Sequence, residues 1–214
     1  MKSAASPENI PNSGSKSGER AENTPNARHS KATSRWGTPS DYIAMSRIAL
    51  GGRIELDPMS EPTFNATVGS ERIFTEQDDG FVQDWTCETM LLNPAGELVV
   101  PAWRKLVENF ATGRVRRCVW IGFSVEQLNL LADEPDHPLD WSFLLTRKRI
   151  SFVRHDGYIG APGHANYVVG LGIDPVLFEL AFAGRGRFHH GRYATRNIRG
   201  DRMAASSTET RAPV

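Results

Sequence analysis

From residue 35 to about 184, short apolar runs alternate with segments whose apolar residues recur at helical spacing. That alternation predicts an α/β domain. Asp41 to Leu50 reads as a helix, with Ser40 placed to cap it and Gly51 placed to end it. Arg53 to Leu56 reads as a strand stopping at Asp57-Pro58. Ile73-Phe74 and Met90 to Leu92 read as short central strands, the second delivering Asn93-Pro94. Pro101 to Thr112 is the clearest helix, with proline in its first turn, Gly113 after its end, and Trp103, Leu106, Val107 and Phe110 on one face. Cys118 to Ile121 reads as a buried strand. Ser124 and Gln127 have capping-box spacing and predict a helix from Val125 to Ala132. Trp141 to Leu145, Ile150 to Val153 and Tyr167 to Leu171 read as strands, and Asp174-Pro175 opens a last helix that ends at Gly184. The expected fold is a compact, Rossmann-like α/β domain with a mixed, mostly parallel sheet flanked by helices.

Composition adds the tails. Residues 1–34 are Ser-, Asn-, Pro- and Lys-rich with almost no large apolar side chains, so they are expected to be a disordered arm. Residues 185–214 are expected to be a basic, largely flexible extension. Its Arg185, Arg187, Arg192, Arg196, Arg199 and Arg202 are interleaved with Phe188 and Tyr193. Such a segment suits phosphates and bases, and charge runs are also often solvated tails. Two shorter runs, Arg114/Arg116/Arg117 and Arg147-Lys148-Arg149, flank predicted turns.

The whole chain has 25 basic and 25 acidic residues, so any attraction for nucleic acid must come from local patches. Cys87 and Cys118 lie in apolar stretches without metal-ligand spacing, which predicts buried free thiols and no metal. No stretch reaches the length of a membrane span, and the first residues lack the apolar core of a signal peptide. A cytoplasmic protein with no membrane partner is expected, as a monomer or weak dimer. There is no P-loop and no Gly-x-Ser-x-Gly elbow. Gly170-Leu171-Gly172 lacks the third glycine of a dinucleotide fingerprint, and His189-His190 sits in a Gly/Arg-rich stretch without ligand partners.

The candidate chemistry lies in Met90-Leu91-Leu92-Asn93-Pro94-Ala95-Gly96, where an apolar strand carries Asn-Pro to its carboxyl end, the edge at which open α/β sheets bind ligands. An adenine amino group is a poor nucleophile because its lone pair is delocalised into the ring. An Asn side-chain oxygen and the next carbonyl can accept its two N–H bonds and favour a pyramidal nitrogen. Asn-Pro after a strand is also ordinary turn chemistry.

Several pieces occur together in order: Trp36-Gly37-Thr38-Pro39, Leu56-Asp57-Pro58 with Asn65-Ala66, Asp78-Asp79-Gly80 with Trp85, Asn93-Pro94, Arg149-Ile150-Ser151-Phe152, and Pro162-Gly163-His164-Ala165-Asn166. In order and spacing they resemble the phage-type DNA N6-adenine methyltransferases, over about Trp36 to Gly172. The resemblance implies a Rossmann-like methyltransferase domain over residues 35–184 that takes S-adenosyl-L-methionine as donor and DNA as partner. It places the donor near Trp36, Thr38, Pro39, Asp57, Pro58, Asn65 and Asp79. Asn93 and Pro94 become the catalytic pair, and Ala95, Gly96, Trp103, Phe123, Arg149 and His164 face the substrate.

The chain departs from that family at Ala95-Gly96, where a second proline and usually an aromatic residue stand. A second proline would hold the preceding residue extended and aim its carbonyl. A flipped base needs an apolar sandwich. Trp103, Trp120 or Phe123 would have to supply it. Asp57 and Asn93 are only about 36 residues apart, and no Gly-rich loop follows Asp57. A non-catalytic DNA-binding protein on a degenerate methyltransferase scaffold is the alternative, and methylation of a cytosine N4 or of an RNA base shares the same amine-activating motif.

Overall fold

The computed structural model describes residues 36–134, 136–160 and 163–194. The expected N-terminal arm and the part of the expected extension after residue 194 lie outside the described residues.

In chain order the first half contains β1 (Trp36–Gly37), α1 (Ser40–Leu50), β2 (Leu56–Asp57), α2 (Pro62–Val68), β3 (Arg72–Ile73), β4 (Cys87–Leu92), α3 (Val99–Ala111) and β5 (Val115–Gly122). The second half contains α4 (Gln127–Leu130), β6 (Ser142–Thr146), β7 (Phe152–Arg154), β8 (Ile159–Gly160), β9 (Tyr167–Leu171), α5 (Pro175–Ala181) and β10 (Gly186–His190). Seven strands form one mixed sheet in the order β10-β6-β9-β5-β4-β2-β3, and β1, β7 and β8 form a small separate sheet.

The α/β reading holds, with one correction to the sheet. Three junctions are parallel, β3–β2, β2–β4 and β4–β5. The other three, β5–β9, β9–β6 and β6–β10, are antiparallel. The sheet is therefore evenly mixed rather than mostly parallel. All three antiparallel junctions are made by strands that follow β5 in the chain, namely β6, β9 and β10.

Both faces of the sheet are covered. On one face, Tyr42, Ile43 and Leu50 of α1, Val68 of α2 and Phe178 of α5 pack with Leu91, Val119, Ile121 and Val168. On the other, Ala102, Trp103, Leu106 and Phe110 of α3 and Leu128 of α4 pack with Met90, Leu92, Cys118, Trp120 and Tyr167. The second cluster is unusually aromatic. Trp103 meets Trp120 edge-on with ring centroids 5.1 Å apart, and Phe110 meets Trp141 edge-on at 4.9 Å. Burying side chains of this size contributes about 1.5–3 kcal/mol each. Cys87 and Cys118 are free and buried, as expected, and burial pushes the Cys87 thiol up to about 12.

Several local expectations shift. Ser40 begins α1 instead of capping it, because Pro39 occupies the capping position, while Gly51 ends the helix at φ 87°. Ile73 lies on the edge strand β3 and not in the sheet centre. The helix expected over 125–132 shortens to α4, and its flanks are turns closed by Gln127 N to Ser124 O and Leu131 N to Leu128 O at 3.1 Å each. The run expected at 150–153 becomes β7, which leaves the main sheet to pair with β1 and β8. α2 carries a single buried residue, Val68, so its periodicity is too weak to announce it.

The boundary expected at Gly184 also moves. β10 pairs with β6 from Gly186↔Thr146 to His190↔Ser142, so residues 186–190 are the edge of the main sheet and not a flexible extension. His189-His190 accordingly lies in a strand.

Candidate functional site

The topology singles out one crevice. From β2 the chain crosses through α2 to β3 on the outer side. It then returns to β4 on the inner side of β2, and crosses through α3 on the opposite face to β5. The carboxyl ends of β2 and β4 therefore flank a switch point, where open α/β sheets leave a crevice between loops that turn away in opposite directions. Asp57 ends β2, and Asn93-Pro94 follows β4. The parallel register Leu56↔Met90 sets Asp57 beside Leu91, two residues short of Asn93 on the neighbouring strand.

Asn93 is held by the segment after β1. Its Nδ2 donates to Thr38 Oγ1 at 3.2 Å and to the Trp36 carbonyl at 3.4 Å. Both bonds use the amide nitrogen, and Oδ1 makes no hydrogen bond among the described residues. Thr38 is buried. Between Trp36 and Thr38, a Cβ on Gly37 would stand 2.5 Å from the Phe64 ring, so this approach of β1 to α2 requires glycine. Asn93 is thus joined to Trp36 and Thr38, 57 and 55 residues away in the chain. Pro94 is buried, Ala95 is half-buried and Gly96 is exposed.

Asp57 is 7% exposed, and burial raises its carboxyl to about 6 although the Ser60 side chain and the Met59 N–H bond it and oppose the shift. Met59 N lies 3.4 Å from Asp57 Oδ1. The loops that follow Asp57 and Asp79 meet at Pro58 and Gly80. A Cβ on Gly80 would stand 2.3 Å from the Pro58 carbonyl, and Trp85 Nε1 donates to the Gly80 carbonyl at 2.7 Å. Asp79 is the single non-glycine with positive φ, 49°, among the described residues. Aspartate tolerates that region because its side chain bonds locally, here with Oδ1 accepting from Phe81 N at 3.1 Å.

Other expected site residues do not gather here. Asn65 clamps the turn after α2, taking Ser70 N at 2.8 Å and giving Nδ2 to the Ser70 carbonyl at 3.1 Å, so both ends of its amide are engaged in its own loop. Trp103 is 1% exposed and its Nε1 donates to the Asp136 carbonyl at 2.7 Å. It is a core residue and offers no face to a base, and Trp120, fully buried, offers none either. Phe123 is half-buried and packs on Phe152 at 5.2 Å, with its own carbonyl taking the Asn166 Nδ2. His164 lies at the surface with Nδ1 2.8 Å from Glu126 Oε1, and Arg149 is exposed.

Asn166 and Ser60 organise the site without having been expected to. Asn166 is fully buried and also accepts from Ile150 N at 2.6 Å, which ties the loop after β5 to the one after β6. Its place beside His164-Ala165 is the signal that could have found it. Ser60 carries none, since a serine after Asp57-Pro58 is common turn chemistry. Among the described residues no group of three or more acidic, His or Cys side chains stands close enough to hold a metal, and no helix is long and apolar enough to cross a membrane.

No family model, no curated protein and no solved structure matches this chain.

Proposed function

We propose that the chain is an S-adenosyl-L-methionine-dependent DNA methyltransferase acting on the N6 amine of a flipped adenine. The observation that carries this reading is the anchoring of Asn93 at the switch point. Its amide nitrogen is tied to Thr38 and Trp36, which leaves Oδ1 to accept from a substrate amine. The Pro94 carbonyl follows at the same strand end and is the second acceptor. With both N–H bonds of the amine taken up, its lone pair is withdrawn from the ring and aimed at the methyl donor. Preset acceptors of this kind need no reorganisation during the reaction.

The residues of the crevice fit the donor. Asp57, a buried carboxylate whose pKa is raised by burial, has no cationic partner among the described residues, and the donor's ammonium group would supply one. Thr38, Pro39, Pro58 and Asp79 border the same edge. When bound, the donor supplies an electrophilic methyl group, and the surplus amine proton leaves to water. Phe123, half-buried just after β5, is the aromatic residue proposed to flank the base.

The test incubates purified protein with methyl-labelled donor and unmethylated DNA and identifies the modified nucleoside. N6-methyladenine is expected. N4-methylcytosine would reassign the base, and donor binding without incorporation would favour the non-catalytic alternative that Ala95 keeps open.

A further inference from the structure

An open groove of about 440 Å³ lies between the start of α1, the loop 147–151 and the turn 183–185. It is bordered by Arg147, Lys148, Arg149 and Arg185 against the one carboxylate of Asp41, in a chain whose formal charge is zero. Register brings these cations together. β10 lies beside β6, and the ladder continues past Gly186↔Thr146 as Arg147 N donates to the Arg185 carbonyl at 2.7 Å. Arg185 is held by Asp41 at 2.9 Å and lies over the Tyr42 ring at 5.3 Å. Arg147 and Lys148 are exposed and have no ion-pair partner among the described residues. The 11-residue helix α1 begins at the same groove, where Pro39 at the capping position makes no side-chain bond and Asp41 Oδ1 accepts from the Tyr42 N–H at 2.9 Å. Like charges crowded in a concavity repel one another and focus a positive potential, and a bound anion relieves both effects.

From this geometry we infer that the groove is a track for the phosphodiester backbone of the DNA whose base enters at Asn93. The inference rests on the proposed function and deepens it. Pro39 borders the groove, and the residue before it, Thr38, binds Asn93, so the two sites are one residue apart along the chain. The openness and the exposed cations on long, flexible stems suit a passing backbone. An enclosed small anion would instead be met by buried donors.

The test measures binding of a labelled 20-base-pair duplex at several salt concentrations. The full-length chain is compared with Arg147→Gln/Lys148→Gln, the charge-keeping Arg147→Lys/Lys148→Arg, and Arg114→Gln, which removes a charge at the amino end of β5 on the opposite edge of the sheet. Thermal melts check that each variant is folded. The Gln pair is expected to flatten the plot of log affinity against log salt by about two units, one for each phosphate left unneutralised. The charge-keeping pair should match wild type, and Arg114→Gln should change the slope by less than half as much. An unchanged slope in the Gln pair, an equal loss in Arg114→Gln, or no DNA binding by wild type overturns the groove. Methylation is read on the same samples. Binding with the expected slopes but no methyl transfer leaves the groove standing and removes the enzyme, whereas methyl transfer with unaltered slopes does the reverse.

Discussion

Asn93 Nδ2 reaches Thr38 Oγ1 at 3.2 Å across 55 residues of sequence, and this bond engages the nitrogen end of the amide. Asn93→Ala should lower methyl transfer by about a hundredfold or more while fold and donor affinity persist, because it removes an acceptor used at the reacting amine. Thr38→Val keeps the shape and deletes only the positioning bond. It should lower kcat about fivefold, the worth of roughly 1 kcal/mol, with little change in KM for the donor. Steady-state kinetics on both variants check this, and an Asn93→Ala enzyme within twofold of wild type would remove Asn93 from the mechanism.

Ala95 stands where a second proline would aim the Pro94 carbonyl, and its backbone already has φ −60° and ψ 154°. Proline prefers the same φ, so Ala95→Pro should be accommodated. Stability is expected to rise by about 0.4–1 kcal/mol, because the unfolded chain loses freedom. Turnover should rise with it, since the acceptor carbonyl is better fixed. Urea melts paired with kcat decide the matter, and a loss of both would show that the Ala95 N–H or the Pro94 conformation is needed as it stands.

Asp57 supplies a pH signature. Burial raises its carboxyl to about 6, above the ordinary carboxylate value, so the native state holds this proton more tightly than the unfolded chain does. Its contribution to stability is therefore present at low pH, is lost as pH rises from about 4 to about 6, and is flat above that, amounting to roughly 3 kcal/mol at most. Donor binding should run the opposite way, strengthening over the same window as the carboxylate forms and can face an ammonium. Asp57→Asn is expected to abolish both dependences. Melts and donor titrations from about pH 4 to about pH 8 test this, and identical profiles for wild type and variant would unseat Asp57 from both roles.

Trp103 fills the space between α3 and β5 and donates to the Asp136 carbonyl. Trp103→Ala should destabilise the domain by about 3–5 kcal/mol, through reduced burial and the cavity left behind. Trp103→Phe should keep the fold and leave DNA affinity unchanged. Weakened DNA binding in a fully folded Trp103→Phe protein would return this side chain to the substrate.

A chain ending at Gly184 should melt well below one ending at Ala194. The shorter chain loses β10, which uncovers the β6 edge, removes Phe188 from the Phe178 ring 6.0 Å away, and takes Tyr193 off Trp141. Equal melting temperatures would mean that the edge strand contributes nothing to the domain.

α3 and β9 are legible from local pattern. Trp103, Leu106 and Phe110 mark one face at helical spacing, and the apolar run Tyr167–Leu171 is buried at every position, so burial alone writes these elements into the chain. Asn93 at the end of an apolar strand is legible for the same reason. Pairing is a different kind of information. A strand's periodicity says how many of its faces are buried but not which strand lies beside it, so Ile150 to Val153 reads as one more sheet strand while Phe152–Arg154 in fact pairs with Trp36–Gly37. For β10 the pattern itself misleads, because an edge strand exposes arginine and histidine and is ordered by the ladder with β6 rather than by burial. The same ladder sets Arg185 beside Arg147, and the switch in crossover direction between β2 and β4 sets Asp57 beside the strand of Asn93. These neighbours arise from closing long loops onto particular hydrogen-bonding edges, and no short window of sequence contains both sides of such a contact.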